Sequence, residues 1–151
     1  MPHLLGVDVT AVDSTAQHEL GSRHELRDGS EYVYVEAGGA LAAEDVVTYD
    51  VDYSATALAA AGNALAVCVT AIGSGSFGWV QVSGSVTAST ATGVSAADPI
   101  SLVTDASGDF VAPIDIDEAG VDTAAPGTLA VRGVALDDEA TGSAPILLFR
   151  I

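Results

Sequence analysis

The stretch FGWVQVSGSV, residues 77–86, is the part of the sequence that decides the fold. Trp79, Gln81 and Ser83 occupy one set of alternate positions, and two valines occupy the positions between them. Because successive side chains of a β-strand point to opposite faces, this alternation predicts a strand with two different faces. The preceding GSGS, residues 73–76, is typical of a turn between two strands. The sequence therefore predicts β-structure at the centre of the chain.

Strand-like segments of similar length lie on both sides of this stretch. Residues 64–72 form a nearly continuous apolar run, which is typical of a strand buried on both faces. The other candidate strands are residues 31–36, 46–51, 99–103, 109–111, 128–136 and 144–151. Only the Ala-rich residues 56–61 fit a helical turn. Short strands separated by Gly, Ser, Asp and Pro predict an all-β fold, a small sandwich or barrel of short antiparallel strands.

The first 28 residues differ from the rest of the chain. They contain all three His and two of the four Arg, and a turn signal, Asp28-Gly29, follows them. We interpret residues 1–28 as an extended N-terminal arm that needs a partner to become ordered, and residues 29–151 as a β-rich domain. The alternative is a first strand from Leu4 to Val12 that folds onto the domain.

The charge balance restricts the class of partner. The chain of 151 residues has 21 acidic and four basic side chains, none of them Lys, and a formal net charge of −17. Such a surface repels nucleic acid and anionic lipid, so neither is an expected partner. At molar salt the Debye length is about 3 Å, which screens most of the repulsion between carboxylates. The composition therefore favours a halophilic source, with a moderately acidic marine or bacterial protein as the alternative.

Neither a membrane span nor a secretion signal is expected. No apolar stretch reaches the roughly 18 residues of a transmembrane helix, and the N-terminal MPHLLG has no basic region followed by a long apolar one. The single cysteine, Cys68, lies in an apolar run and is interpreted as a buried small hydrophobe rather than a reactive thiol.

Catalytic and cofactor motifs are weak. GSGSFG, residues 73–78, matches a dinucleotide-binding glycine pattern, but a strand rather than a helix follows it. The spacing of His3, His18 and His24 matches no zinc site. The acidic groups at residues 115–118 and 137–139 lack the ligand order of a dedicated calcium loop, although they could bind cations loosely. We therefore predict no enzyme activity, no cofactor and no metal site.

Four residues are candidate contacts with another subunit or a partner surface. Arg23, His24 and Arg27 supply rare positive charge that could meet an acidic partner surface. Trp79 is interpreted first as a core residue and second as an interface anchor, since Trp is over-represented at interfaces.

The order of the motifs resembles a family of small virion proteins. In that family a segment like DGSEYVYV, residues 28–35, precedes a hairpin like FGWVQVSG, residues 77–84, and the chain ends on a segment like APILLF, residues 144–149. These are capsid decoration, or cement, proteins of tailed bacterial and archaeal viruses, and the resemblance covers most of residues 20–151. The extreme acidity and the absence of Lys depart from the family pattern and indicate a virus of a saline habitat.

The resemblance implies a virion structural protein. It would be made in the host cytoplasm, would form a homotrimer, and would stabilise the outer capsid surface by bridging major capsid protein subunits. A virion spike or receptor-binding domain is the alternative, and it would expose a cleft with aromatic side chains. A cell-surface adhesion module of a halophile would carry a signal peptide, and an enzyme is the last of the alternatives.

Overall fold

The computed structural model describes residues 6–57, 64–89, 99–101, 131–137 and 143–149. Over these ranges the chain forms strands and no helix, so the predicted all-β class is confirmed. The strands are β1 (Val12–Asp13), β2 (Arg23–Glu25), β3 (Glu31–Ala37), β4 (Val46–Tyr49), β5 (Ser54–Ala57), β6 (Ala64–Cys68), β7 (Phe77–Ser89), β8 (Pro99–Ser101), β9 (Val131–Ala135) and β10 (Ser143–Leu148).

Five strands close into a small barrel in the order β3-β5-β4-β6-β7, with β7 paired back to β3. The pairs are antiparallel except β3 with β5, which run parallel through Glu36 opposite Ser54 and Ala37 opposite Ala55. A closed barrel leaves no free strand edge within it. The predicted barrel of short antiparallel strands is thus confirmed, with one parallel pair added.

A second sheet extends from the barrel along β7. The first part of β7 belongs to the barrel, and residues 84–89 pair antiparallel with β10. Strand β10 then pairs with β9, and β9 pairs with β8. One continuous strand therefore belongs to both sheets.

The strand changes direction at Gly84. Its φ of 92° lies in the left-handed region that glycine adopts without strain. The Gln81 side chain is buried on the same stretch, and its Nε2 donates to the backbone carbonyls of Ser83, at 3.0 Å, and Ser85, at 2.9 Å. These two bonds satisfy carbonyls on both sides of Gly84, which explains a buried polar side chain at Gln81.

Alternation along the barrel strands separates an inner core from an outer one. Ala66 and Cys68 of β6 belong to the core inside the barrel, which also contains valines of β3, β4 and β7. Leu65 and Val67 of the same strand belong to a second core, where Val86 and Ile146 of the second sheet cover the barrel. Burial on both faces therefore explains residues 65–68 of the apolar run, as the sequence predicts, whereas Ala64 and Ala71 are exposed.

The other covered side of the barrel lies under the N-terminal segment, which we define as residues 6–26. Strand β1 pairs with the start of β7, and β2 pairs with β3. Val7, Val9 and Leu20 pack against the aromatic face of the barrel. The contacts of the described residues of this segment lie within its own chain. The division of the chain at residue 28 stays a prediction.

One predicted element has a different structure from the one expected, and several others cannot be compared. Thr56 and Ala57, assigned to a helical turn, lie in β5, because pairing with β4 outweighs the weak helical preference of the Ala-rich sequence. The strand at 109–111, the acidic residues 115–118 and most of the helical turn lie outside the described residues.

Candidate functional site

An aromatic cluster, defined by Tyr32, Tyr34 and Trp79, lies between the barrel and the N-terminal segment. Tyr34 of β3 and Trp79 of β7 are cross-strand partners whose ring centroids are 5.1 Å apart. The His18 ring lies edge-on to Tyr34 at 5.1 Å and 5.2 Å from Trp79. Aromatic pairs at such separations stabilise beyond their buried area. The cluster therefore fastens the N-terminal segment to the barrel.

The Tyr34 hydroxyl makes the central polar contact of this region. It donates to Asp13 Oδ2 at 2.9 Å and accepts from the backbone N–H of Gln17 at 3.2 Å. The Tyr34 backbone also exchanges hydrogen bonds with Gly21 and Ser22, each at 2.9 Å. One residue of the barrel thus holds the N-terminal segment at three places, and burial raises the pKa of its phenol.

The substitution Tyr34→Phe tests this polar contact. We expect it to lower the free energy of unfolding by about 1–2 kcal/mol, because it removes a hydrogen bond to a carboxylate while keeping the ring. Urea denaturation followed by Trp79 fluorescence measures the loss. The control is Tyr53→Phe, because the Tyr53 ring also packs against the N-terminal segment, at Gly21, while the hydrogen bonds to Asp13 and Gln17 belong to Tyr34. Equal losses in the two variants would show that the Tyr34 hydroxyl has no special role.

His24 is enclosed on the same side of the barrel. Its ring lies 6.2 Å from Trp79 in an edge-to-face arrangement, and its buried Nδ1 has no hydrogen-bond partner. The side chain is half-buried in β2, so only part of it can meet a partner. The structure therefore gives His24 a packing role that the sequence analysis did not anticipate.

The two arginines of this region differ in their surroundings. Arg23 Nη1 donates to Glu31 Oε1 at 2.9 Å, and this hydrogen bond raises the pKa of the guanidinium. Because Glu31 is nearly buried, Arg23 has a role within the chain, where its charge compensates a desolvated carboxylate. Arg27 lies exposed in the turn after β2. Of the predicted contact residues, Arg27 is the one whose side chain is most free to reach a partner.

Trp79 is a core residue. Only 2% of it is exposed, since the N-terminal segment covers the face of β7 on which it lies. As the sequence analysis favoured, it fills the space between two layers of the chain. The second interpretation, an interface anchor, stays a prediction, and little of the ring is exposed for such a contact.

The Cys68 thiol is buried inside the barrel and donates to the Thr70 carbonyl at 2.9 Å. Burial raises its pKa to about 11. This agrees with the interpretation of Cys68 as a small hydrophobe. We expect its alkylation in the folded protein near pH 8 to be at least about 100-fold slower than in denaturant, because the thiolate fraction falls with the raised pKa. Rapid labelling of the native protein would contradict this burial.

The same shift predicts a loss of stability in alkali. The folded state favours the neutral thiol, so this contribution is complete below about pH 9 and is lost as the pH rises through about 11. The phenols of Tyr32, Tyr34 and Tyr49, whose pKa values burial also raises, act in the same direction. Thermal unfolding across this pH range measures the loss of stability, and in Cys68→Ala the unfolding temperature should fall less steeply with rising pH. If the variant and the wild type lose stability equally steeply, the tyrosine phenols account for the whole loss.

The described ranges lack two kinds of feature, a metal-ligand cluster and a membrane-spanning helix. They contain no cluster of three or more His, Cys, Asp or Glu side chains that could hold a metal ion. No helix long and apolar enough to cross a membrane is found in the same ranges. The glycine-rich GSGSFG lies in the turn before β7 and at its start, which is the hairpin that its sequence context predicts.

Sequence reasoning missed a group of exposed apolar side chains. Val51, flanked by two aspartates, is 91% exposed at the turn between β4 and β5. Leu136, Leu147 and Phe149 lie on the second sheet or at its strand ends and are 38–49% exposed. Only strand pairing shows that these three lie near one another, because β9 and β10 are adjacent.

Comparisons with known proteins give a likeness in structure and none in sequence. No protein-family model matches the chain, and no curated protein matches it in sequence. Among solved structures, the chain is similar to the head fiber gp8.5 N base of bacteriophage phi29. The likeness has a TM-score of 0.49 and 13% sequence identity, and it covers 78% of this chain and 92% of that chain. At this level of similarity we draw no conclusion from it about function.

Proposed function

We propose that the chain is a structural protein of a virus particle that decorates the capsid and stabilises it by bridging major capsid protein subunits on the outer surface. It acts as a homotrimer, and it binds capsid subunits without catalysing a reaction. A protein of this kind gains affinity by multivalency, because several weak contacts per oligomer act together.

The observation that carries the proposal is the pairing of the two motifs on which the resemblance depends. EYVYV, residues 31–35, lies in β3, and FGWVQV, residues 77–82, lies in β7. The two strands are adjacent and antiparallel, with Val33 opposite Val80 and Tyr34 opposite Trp79. Segments 40 or more residues apart in the sequence thus form a single structural unit, the centre of the barrel. This supports reading the two motifs as one signature rather than as separate short coincidences.

The count of copies per particle tests the proposal. Quantitative mass spectrometry of purified virus particles that contain the chain gives its ratio to the major capsid protein. Hundreds of copies, close to a fixed ratio with capsid subunits, are expected for a decoration protein. A handful of copies would overturn decoration in favour of a spike, and its absence from particles would overturn the virion assignment altogether.

The exposed Arg27 provides a test of the predicted capsid contact. We expect Arg27→Glu to reduce the occupancy of purified protein on undecorated capsids, because it reverses one of the few positive charges of the chain. Asp8→Asn, which removes a charge from the exposed start of the N-terminal segment, is the control. Equal occupancy of wild type and Arg27→Glu would remove Arg27 from the contact surface.

A further inference from the structure

The outer face of the second sheet, defined by the side chains that point away from the barrel, is formed by cross-strand partners on β7, β10 and the end of β9. Ser85 lies opposite Leu147, and Thr87 lies opposite Pro145. Leu136 donates its backbone N–H to the Pro145 carbonyl at 2.8 Å, which places it next in the same row. Phe149 follows β10 with the parity of Leu147. The opposite face of these strands, with Val86, Ile146 and Leu148, is buried against the barrel.

The described side chains around Leu147 on this face are uncharged. Leu136, Leu147 and Phe149 are three of the five large hydrophobics that are exposed in the described part of the chain. Ser85 and Thr87 are small, exposed and neutral. A carboxylate lies at the far end of the face, where the Ser143 hydroxyl donates to Glu44 Oε2 at 2.5 Å. Exposed carboxylates elsewhere in the chain include those of Glu25, Asp28, Asp50 and Asp52. A group of exposed apolar side chains is unusual on a chain that carries a net charge of −17.

The distribution of charged side chains indicates which partner would bind the outer face of the second sheet. Two copies of a chain at −17 repel each other wherever their carboxylates meet. A contact between copies therefore needs a surface from which carboxylates are missing, and the described side chains around Leu147, away from Ser143 and Glu44, meet that condition. A basic partner would instead be drawn to the acidic turns of the barrel.

We infer that the outer face of the second sheet is the surface through which copies of this chain associate with one another. Leu147 is at its centre, with Leu136 and Phe149 on the adjacent positions. The inference deepens the proposed function, since it gives the expected self-association a surface. Self-association in solution and copy number on particles are separate measurements, so either can fail alone.

Sedimentation velocity of the purified full chain tests the inference. We expect association to strengthen when NaCl is raised from about 0.1 M to 1 M, because the Debye length falls from about 10 Å to about 3 Å while an apolar contact is kept. Leu147→Glu should weaken it at least about tenfold, since association would then bury an unpaired carboxylate. The matched control is Val12→Glu, at a side chain of 40% exposure against 38% for Leu147, on β1 at the other end of β7.

Thr87→Glu supplies a second variant at an exposed polar position of the same face, so a failure of Leu147→Glu to fold leaves the test intact. Loss of association in both face variants, with wild-type behaviour of Val12→Glu, supports the inference. A monomer at every salt concentration would overturn it, as would association that Leu147→Glu and Thr87→Glu leave unchanged. Association that weakens with salt would overturn it too, because that would show an ionic contact.

Discussion

The substitution Gly84→Ala is expected to lower the free energy of unfolding by about 3 kcal/mol or more, since it combines two costs at one position. Gly84 has a φ of 92°, where a Cβ is strained. A Cβ built there would also lie 2.8 Å from the Ser30 Cα, and that backbone cannot move away without disturbing the start of β3. Chemical denaturation followed by circular dichroism measures the loss.

Gly29→Ala separates the two costs. Gly29 has a similar φ of 86°, but a Cβ there would meet no atom within 4 Å. We expect this variant to lose about 1 kcal/mol, the cost of the backbone conformation alone. If the two alanine variants lose the same amount, the close approach of Ser30 to the bend contributes nothing, and the bend is less constrained than the structure indicates.

The second large effect is expected for Trp79→Ala, which should lower the free energy of unfolding by about 3–5 kcal/mol. The indole is the largest fully buried side chain among the described residues, and it contacts His18, His24 and Tyr34. Its loss leaves a cavity under the N-terminal segment. Because Trp79 is the only tryptophan, circular dichroism must report the transition instead of fluorescence.

Hydrogen exchange localises this effect. In Trp79→Ala we expect the amides of residues 17–22 to exchange faster than those of β6, since the former depend on the aromatic cluster and the latter on the barrel core. Trp79→Phe, which keeps a smaller ring, should recover part of the protection. Uniform acceleration throughout the barrel in Trp79→Ala would contradict the view that this side chain mainly holds the N-terminal segment.

Much of the barrel could be predicted because its strands carry strong local patterns. The alternation around Trp79 assigned the correct faces of β7, with Val80 inside the barrel and Gln81 outside its core. The turn signal at Asp28-Gly29 also corresponds to a real turn, in which Asp28 Oδ1 accepts from the Ser30 N–H at 2.9 Å. Such features depend on neighbours in sequence, and periodicity reports them directly.

Barrel closure could not be predicted in the same way. It requires β3 to pair in parallel with β5, and this pairing covers only Glu36 with Ser54 and Ala37 with Ala55. No local pattern encodes so short a contact. The division of β7 between two sheets was also invisible, because Gly84 looks like an ordinary glycine within a strand until its φ of 92° is known.

The candidate contact residues show a related limit. Rare positive charge predicted Arg23 as a partner contact, but the sequence could not show that Glu31 lies 2.9 Å from it. The exposed apolar side chains of the outer face were missed for a similar reason. Leu136 and Leu147 come from different strands, and only their register places them side by side.

The sharing of β7 between the barrel and the second sheet has a mechanical consequence. A force that pulls on the second sheet is transmitted through the covalent backbone of β7 into the barrel, where β3 and β6 flank that strand on either side. To pull β7 out of the barrel, its hydrogen bonds to β3 and β6 must be sheared together rather than opened one at a time. The architecture is therefore suited to bearing tension along the axis of this strand.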